Sequence, residues 1–231
     1  MVNTYVRSLV EAALGIESAL ADGLALYVNS NEETKYIVLY DAKAYVKHAL
    51  TNARHIGTMI DHRTAECICG FVRMHKVDPS NNGPAYGSWE VANTAAKKGY
   101  GPFIYDVALN LGKPVISDRA SVSPAAKNIW SYYKANRSDV KKLPLDNKTA
   151  PRTPDPNDDS LVYDAGTESE LTNPLNFAYQ GSGFDFSKLT QRHEKAVALI
   201  TSKVPALNSD KIETSLIHFA EDYFIKRYHG V

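Results

Sequence analysis

Gly87-Ser-Trp-Glu-Val-Ala-Asn-Thr-Ala-Ala-Lys-Lys-Gly-Tyr-Gly-Pro-Phe-Ile-Tyr-Asp-Val-Ala-Leu-Asn-Leu-Gly112 is the stretch whose reading decides the fold. It reads as a strand, a glycine-bearing turn and a helix. The turn is Lys97-Lys98-Gly99-Tyr100-Gly101-Pro102. Backbone N–H groups at the start of a helix have no partner within it, and the helix dipole adds partial positive charge there. Such a turn favours an anion. Gly99 and Gly101 let the backbone approach a ligand with no Cβ in the way. Pro102 has no N–H to leave unpaired and suits a first helical turn. The pattern predicts a pyrophosphate cradle. It is not a Walker A loop, and it has only one Gly-x-Gly step where the dinucleotide fingerprint needs a third glycine.

The flanking sequence extends the pattern. Upstream, 55–61 and 65–75 read as two strands joined by a short turn. Strict alternation in the second places Cys67, Cys69 and Phe71 on one face and Ile68 and Val72 on the other. Residues 78–84 form a dense turn cluster. Downstream, 102–111 is predicted helical, with Phe103, Val107 and Leu111 at i, i+4 and i+8. Gly112 is placed as the glycine that stops the helix. A short strand follows at 114–117. Ser123 is predicted to cap a helix over 125–135 with Pro124 at its first position.

The order strand, strand, strand, glycine loop, helix, strand, helix resembles the GNAT superfamily of acyl-CoA-dependent N-acyltransferases, over about residues 35–140. In that family a central strand leads into Gln/Arg-x-x-Gly-x-Gly/Ala, whose amides hold the pyrophosphate of acyl-CoA. Here the matching run is Ala96-Lys97-Lys98-Gly99-Tyr100-Gly101, with Ala96 in the Gln/Arg place and Lys97 or Lys98 available to supply the positive charge. The family's Asn-x-x-Ala-x-x-Leu-Tyr is matched by Ser123-Pro-Ala-Ala-Lys-Asn-Ile-Trp130, with Trp130 in the Tyr place. The resemblance implies an α/β (α+β) fold with a mixed, mostly antiparallel central sheet flanked by helices, here with a C-terminal helical extension. It implies acetyl-CoA or another acyl-CoA as cofactor, held by Val91, Lys97, Lys98, Gly99, Tyr100, Gly101, Phe103 and Ser123. A second resemblance, to acyltransferase-like proteins of bacteriophages, is carried by Ile116-Ser-Asp-Arg-Ala-Ser-Val-Ser-Pro-Ala-Ala-Lys-Asn-Ile-Trp-Ser-Tyr-Tyr133 and Asp139-Val-Lys-Lys-Leu-Pro-Leu-Asp146. Some of that group modify hypermodified bases in phage DNA.

Acyl transfer from a thioester to an amine requires removal of a proton from the amine, a donor for the thioester oxygen and a proton for the departing thiolate. Glu90, on the strand before the loop, is the predicted general base. Tyr132 and Tyr133 are candidates at the leaving group, since a tyrosine hydroxyl titrates near ~10. In the family that role would fall to the position of Trp130, whose indole donates a hydrogen bond but transfers no proton. Ser117-Asp118-Arg119 closes the strand after the first motif helix, where ligands gather in α/β sheets. Asp118 is assigned to bind the amine or act as base, and Arg119 to bind phosphate. Trp130 and Tyr132 are assigned to the substrate. His48 and His193 fall within helical patterns and are read as packing residues. No Gly-x-Ser-x-Gly elbow occurs.

The 231 residues contain 26 basic and 26 acidic side chains, which cancel, and 44% are hydrophobic. The chain can therefore build a sizeable core, and it is not a generically basic nucleic-acid-coating protein. No run approaches the ~20 apolar residues of a membrane span, and the first residues lack a signal-peptide pattern. The expected location is the cytoplasm, that of the host if the chain is viral. Cys67 and Cys69, the two cysteines, would need two further ligands to hold zinc, and no metal is expected. Residues 1–160 are assigned to the acyltransferase core, including an N-terminal helical pattern (Val6, Leu9, Val10, Ala13), a strand at 36–40 and a helix at 42–52 capped by Asp41. Residues 161–231 are assigned to strands near 161–163 and 175–179 and helices over 186–204 and 211–228, packed on the same domain. Residues 147–159 read as a long polar loop. Three functions fit: an acyltransferase acting on a small amine, a transferase adding an acyl or aminoacyl group to a modified nucleobase with DNA as partner, and a non-catalytic binding protein of the same fold. The nucleobase reading calls for a flipped base, an aromatic pocket of Trp130, Tyr132 and Tyr133, and a basic rim that includes Arg137.

Overall fold

The segment Tyr36-Ile-Val-Leu-Tyr40 is rich in β-branched and aromatic residues, and it lies within strand β2 (Thr34–Asp41). The computed structural model describes residues 23–51, 66–77, 88–118, 122–145 and 173–229. The N-terminal helical pattern, the strand at 55–61, the turn cluster at 78–84, Arg119, the loop at 147–159 and the strand at 161–163 lie outside the described residues.

Strand β1 (Leu24–Ser30) precedes β2, and Asp41 leads directly into helix α1 (Ala42–Thr51) by accepting the Ala44 N–H at 2.9 Å. There follow β3 (Ile68–Lys76), β4 (Trp89–Ala96), α2 (Gly101–Gly112), β5 (Val115–Ile116) and α3 (Pro124–Asn136). The chain then forms β6 (Lys141–Pro144), a short 3-10 turn, β7 (Phe177–Gln180), α4 (Ser187–Lys203) and α5 (Ser209–His229). The seven strands make one sheet in the order β1-β2-β3-β4-β5-β7-β6. Every neighbouring pair is antiparallel except β4 and β5, which α2 joins as a crossover between parallel strands. The fold is thus the mixed, mostly antiparallel α/β class expected, with helices on both faces, two of them at the C-terminal end. β7 pairs with both β5 and β6, so one sheet spans both segments assigned from the sequence.

One face of the sheet packs on α2 and α3 through Leu26, Leu39, Val72 and Met74. The other packs on α1, α4 and α5 through Val38, Tyr40, Ile68 and Phe71. α2 is buried on nearly every side, because besides the sheet it meets α3 and the segment that follows β7; Phe103, Ile104, Tyr105, Val107, Ala108 and Leu109 are all in the core.

Two expectations are corrected. Cys67 and Cys69 do not share a face: Cys67 packs with the α1–α5 side and Cys69 with the α2 side. The cause is a β-bulge, since Tyr40 pairs with Ile68 but Leu39 pairs with Gly70, and the extra residue shifts the alternation. Gly112 is not the left-handed residue that ends α2; Lys113 is, at φ 39°. Gly112 is the last helical residue, and a Cβ there would lie 2.1 Å from Val115 Cγ2, so the glycine serves close packing of the helix on β5. β1 and β6 have no counterpart in the sequence reading.

Candidate functional site

The strand–turn–helix segment closes as its residues dictate. The Lys97 N–H donates to Cys69 O at 2.8 Å, which prolongs the β3–β4 ladder. The Tyr100 N–H donates to Lys97 O at 3.1 Å, which forms the turn. Gly99 carries φ +96°, a conformation that side chains rarely adopt, so a glycine is required there. Tyr100 precedes the helix without a side-chain cap, and Pro102 occupies the second position of α2. Among the described residues the N–H groups of Gly101 and Phe103 have no acceptor, so they and the helix dipole face whatever lies before the helix. Gly101 has no positive φ, and a Cβ added there would make ordinary contact with Ile129 Cδ1 at 3.5 Å. The fold itself does not demand a glycine at 101.

Beside this loop the two sides of β4 are paired to different lengths. β4 pairs with β3 as far as Ala96, but with β5 only at Trp89 and Glu90, opposite Val115 and Ile116. At that point β4 carries its own bulge: Met74 pairs with Val91 and Arg73 with Asn93, so Ala92 is the extra residue. A bulge bends its strand and ends regular pairing. From Val91 onward the β5-facing edge of β4 has no strand neighbour among the described residues.

Glu90 stands on the last shared rung. It is half-buried, opposite His75 in the ladder, with His75 Nε2 3.6 Å from its carboxylate. Asp118, half-buried, follows β5 two residues beyond Ile116. Val91, the next residue of β4, is buried. Lys98 is exposed, whereas the Lys97 amine donates to the Glu66 carbonyl across the start of β3. A half-open cavity of about 410 Å³ adjoins the loop at this end of the sheet, lined by Asp41, His48, Glu66, Cys67, Lys97 and Tyr100 among others. Asp41 is spent capping α1 and Lys97 is held by Glu66, so these charges already hold the walls together. Burial pushes the Cys67 thiol up to about 12, which removes it as a nucleophile at neutral pH.

Other residues assigned from the sequence lie elsewhere. Ser123 caps α3, accepting the Ala126 N–H at 3.2 Å. Phe103 is buried edge-on against Phe184. Trp130 is 1% exposed and packs against Tyr105 and Tyr179 in the core. Tyr132 is also buried and meets Tyr133 edge-on. The Tyr133 hydroxyl lies 2.6 Å from Asp106 Oδ1 and 3.0 Å from Pro102 O, and burial raises its pKa well above that of free tyrosine. Its proton is held in the core rather than offered to a thiolate. Arg137 donates to Asp106 and clasps Asp139 through Nε and Nη2, each at 2.7 Å. Of the residues expected to line the pocket and rim for a flipped base, Trp130, Tyr132, Tyr133 and Arg137 are thus used in packing and ion pairing. Amphipathic spacing of aromatics on α3 marks a core face as readily as a binding face, which is why the sequence did not separate the two.

His193 is a packing residue as expected. It stacks on Tyr27 at 4.8 Å, and its Nδ1 lies 2.9 Å from the Tyr40 hydroxyl.

No protein-family model, curated protein or solved structure matches this chain. Among the described residues, no helix is long and apolar enough to cross a membrane, and no group of three or more His, Cys, Asp or Glu side chains is placed to hold a metal ion.

Proposed function

We propose that this protein is an acyltransferase of the GNAT type, moving an acetyl or other acyl group from acyl-CoA to a small amine within a ternary complex. The observation that carries the reading is that β4, whose described pairing with β5 ends at Glu90, leads into a glycine turn with unpaired N–H groups at the start of α2. An extended amide-bearing arm fits a free strand edge by backbone pairing. A pyrophosphate fits the helix N-terminus, where Gly101 leaves room.

Acyl-CoA supplies the acyl group already activated as a thioester. Glu90 takes the proton from the attacking amine nitrogen as the C–N bond forms and the C–S bond breaks. Tyr133 and Trp130 keep α3 packed against α2 and so position the turn; the departing thiolate receives its proton from solvent. A small amine is favoured over a nucleobase because Trp130, Tyr133 and Arg137 are engaged in the core.

Isothermal titration with acetyl-CoA tests the reading. The wild type should bind, and Gly101→Glu, which puts bulk and negative charge at an anion site, should not. Equal affinity in the two removes the turn from the argument. Binding without acetylation of any amine in a panel of polyamines and amino acids would make the chain a non-catalytic binder. A nucleoside profile of DNA that changes with this gene would move the acceptor to a nucleobase.

A further inference from the structure

A chain of polar side chains joins β1, β2, α4 and α5 inside the core, and His193 of α4 stands at its centre with a side chain 8% exposed. Its Nδ1 lies 2.9 Å from the Tyr40 hydroxyl of β2, and its Nε2 lies 3.5 Å from Glu213 Oε1 of α5. The other oxygen of Glu213 accepts from the Tyr27 hydroxyl of β1 at 3.3 Å, and Tyr27 accepts from Asn29 Nδ2 at 3.1 Å. An ionised carboxylate only accepts, so the proton of a neutral His193 belongs on Nε2. Nδ1 is then bare and accepts from Tyr40. Tyr40 is completely buried, and its hydroxyl has no other partner among the described residues. The neighbouring groups are engaged elsewhere. Tyr45 of α1 lies edge-on to the Tyr40 ring but turns its hydroxyl to Ile212 O and Ser215 Oγ on α5. Cys67, near Tyr40, is kept a neutral thiol by burial. Asp210 of α5 acts on Tyr27 through its charge. On α4 itself Glu194 acts on His193 through its charge, and Arg192 donates to Leu24 O at 3.0 Å.

A second proton on the imidazole sits on Nδ1 and faces the Tyr40 hydroxyl. Tyr40 can then only accept, and its own proton points into the core with nothing to receive it. A buried polar group without a partner is destabilising. On the α5 side the imidazolium keeps its contact with Glu213 and gains a charge. We propose that this chain of hydrogen bonds is an acid-sensitive latch: one proton taken up by His193 breaks its matched pair with Tyr40 and loosens α4 from β1 and β2, while α5 stays held through Tyr45. Burial lowers the His193 pKa below 6.5 against the opposing pull of Glu213 and then Glu194, which agrees with the geometry. The latch therefore holds above pH 6.5 and opens as the pH falls through the native value. It does not depend on the acyl-CoA reading, and it names the helix that responds.

Amide hydrogen exchange of the full chain at about pH 7.5 and about pH 5.5, corrected for intrinsic exchange rates, tests the latch. Protection of the α4 amides should fall about threefold to tenfold more than that of α2 and α3, the worth of one hydrogen bond. His193→Gln should abolish that difference, because the Gln amide offers an oxygen to Tyr40 and an N–H to Glu213 without titrating. A second measurement needs no variant. The nitrogen chemical shifts of the wild-type imidazole at about pH 7.5 should show the Nε2–H tautomer, and the α4 amide shifts should titrate with the same midpoint as the His193 ring. An Nδ1–H tautomer overturns the proposal. So does a loss of protection shared equally by α2, α3 and α4, or an α4 difference that persists in a folded His193→Gln.

Discussion

The Tyr133 hydroxyl meets Asp106 Oδ1 at 2.6 Å in the core between α2 and α3. Arg137 reaches the same oxygen at 2.8 Å. Burial raises the Asp106 carboxyl above its ordinary range, and the hydrogen bond from Tyr133 and the nearby Arg137 pull it back. Two helices are thereby fastened by one buried acceptor with two donors, close behind the turn that carries Gly99 and Gly101.

Removing one donor exposes the cost of that arrangement. Tyr133→Phe keeps the ring packing but leaves Asp106 to Arg137 alone. It should lower Tm by roughly 2–10 °C, from a loss of about 1–3 kcal/mol. Thermal unfolding measures it directly, and an unchanged Tm would show that the contact contributes nothing to stability.

His193 makes stability depend on pH. Burial lowers its pKa below the ordinary 6.5, against the opposing pull of Glu213. The unfolded chain therefore binds this proton more readily than the native one. The stabilisation is complete above pH 6.5 and is lost as the pH falls through the native value. Tm should fall on acidification from about pH 7.5 to about pH 5, and His193→Gln should show a shallower fall. Parallel profiles in the two proteins would contradict the assignment.

Gly101→Ala should act with opposite signs on stability and binding. The new methyl group meets only Ile129 at ordinary contact distance, and the backbone there suits any residue. Restricting the unfolded chain should stabilise the protein by about 0.4–1 kcal/mol. Under the proposed acyl-CoA reading the same methyl group crowds the helix N-terminus, so acetyl-CoA affinity should drop by about tenfold. A stabilised variant with wild-type affinity would place the ligand elsewhere.

Glu90→Gln tests the base. With an amine that the wild type acetylates, kcat should fall by ~10²–10⁴-fold while the Kd for acetyl-CoA is retained. A fall of less than about threefold at saturating substrate would make Glu90 a structural partner of His75, with Asp118 the next candidate base.

Local signals made most elements legible in the sequence. Asp41 and Ser123 are caps because their side chains reach N–H groups three residues on, and Pro124 fits a first turn whatever surrounds it. The Gly99 turn and the two C-terminal helices were readable for the same reason, since short-range hydrogen bonding and helical periodicity need no distant partner. What lay beyond sequence reasoning depended on residues far apart in the chain. The bulge that divides Cys67 from Cys69 arises in the pairing of β2 with β3, and a one-residue shift changes which side chains face which core. Trp130 and Tyr133 look equally suited to a pocket and to a core until β7 brings Tyr179 against them. Arg137 looks like a free cation until α2 presents Asp106. Among the described residues β5 pairs with β4 over two residues while β3 pairs on to Ala96, a relationship among three strands that no single stretch of sequence contains.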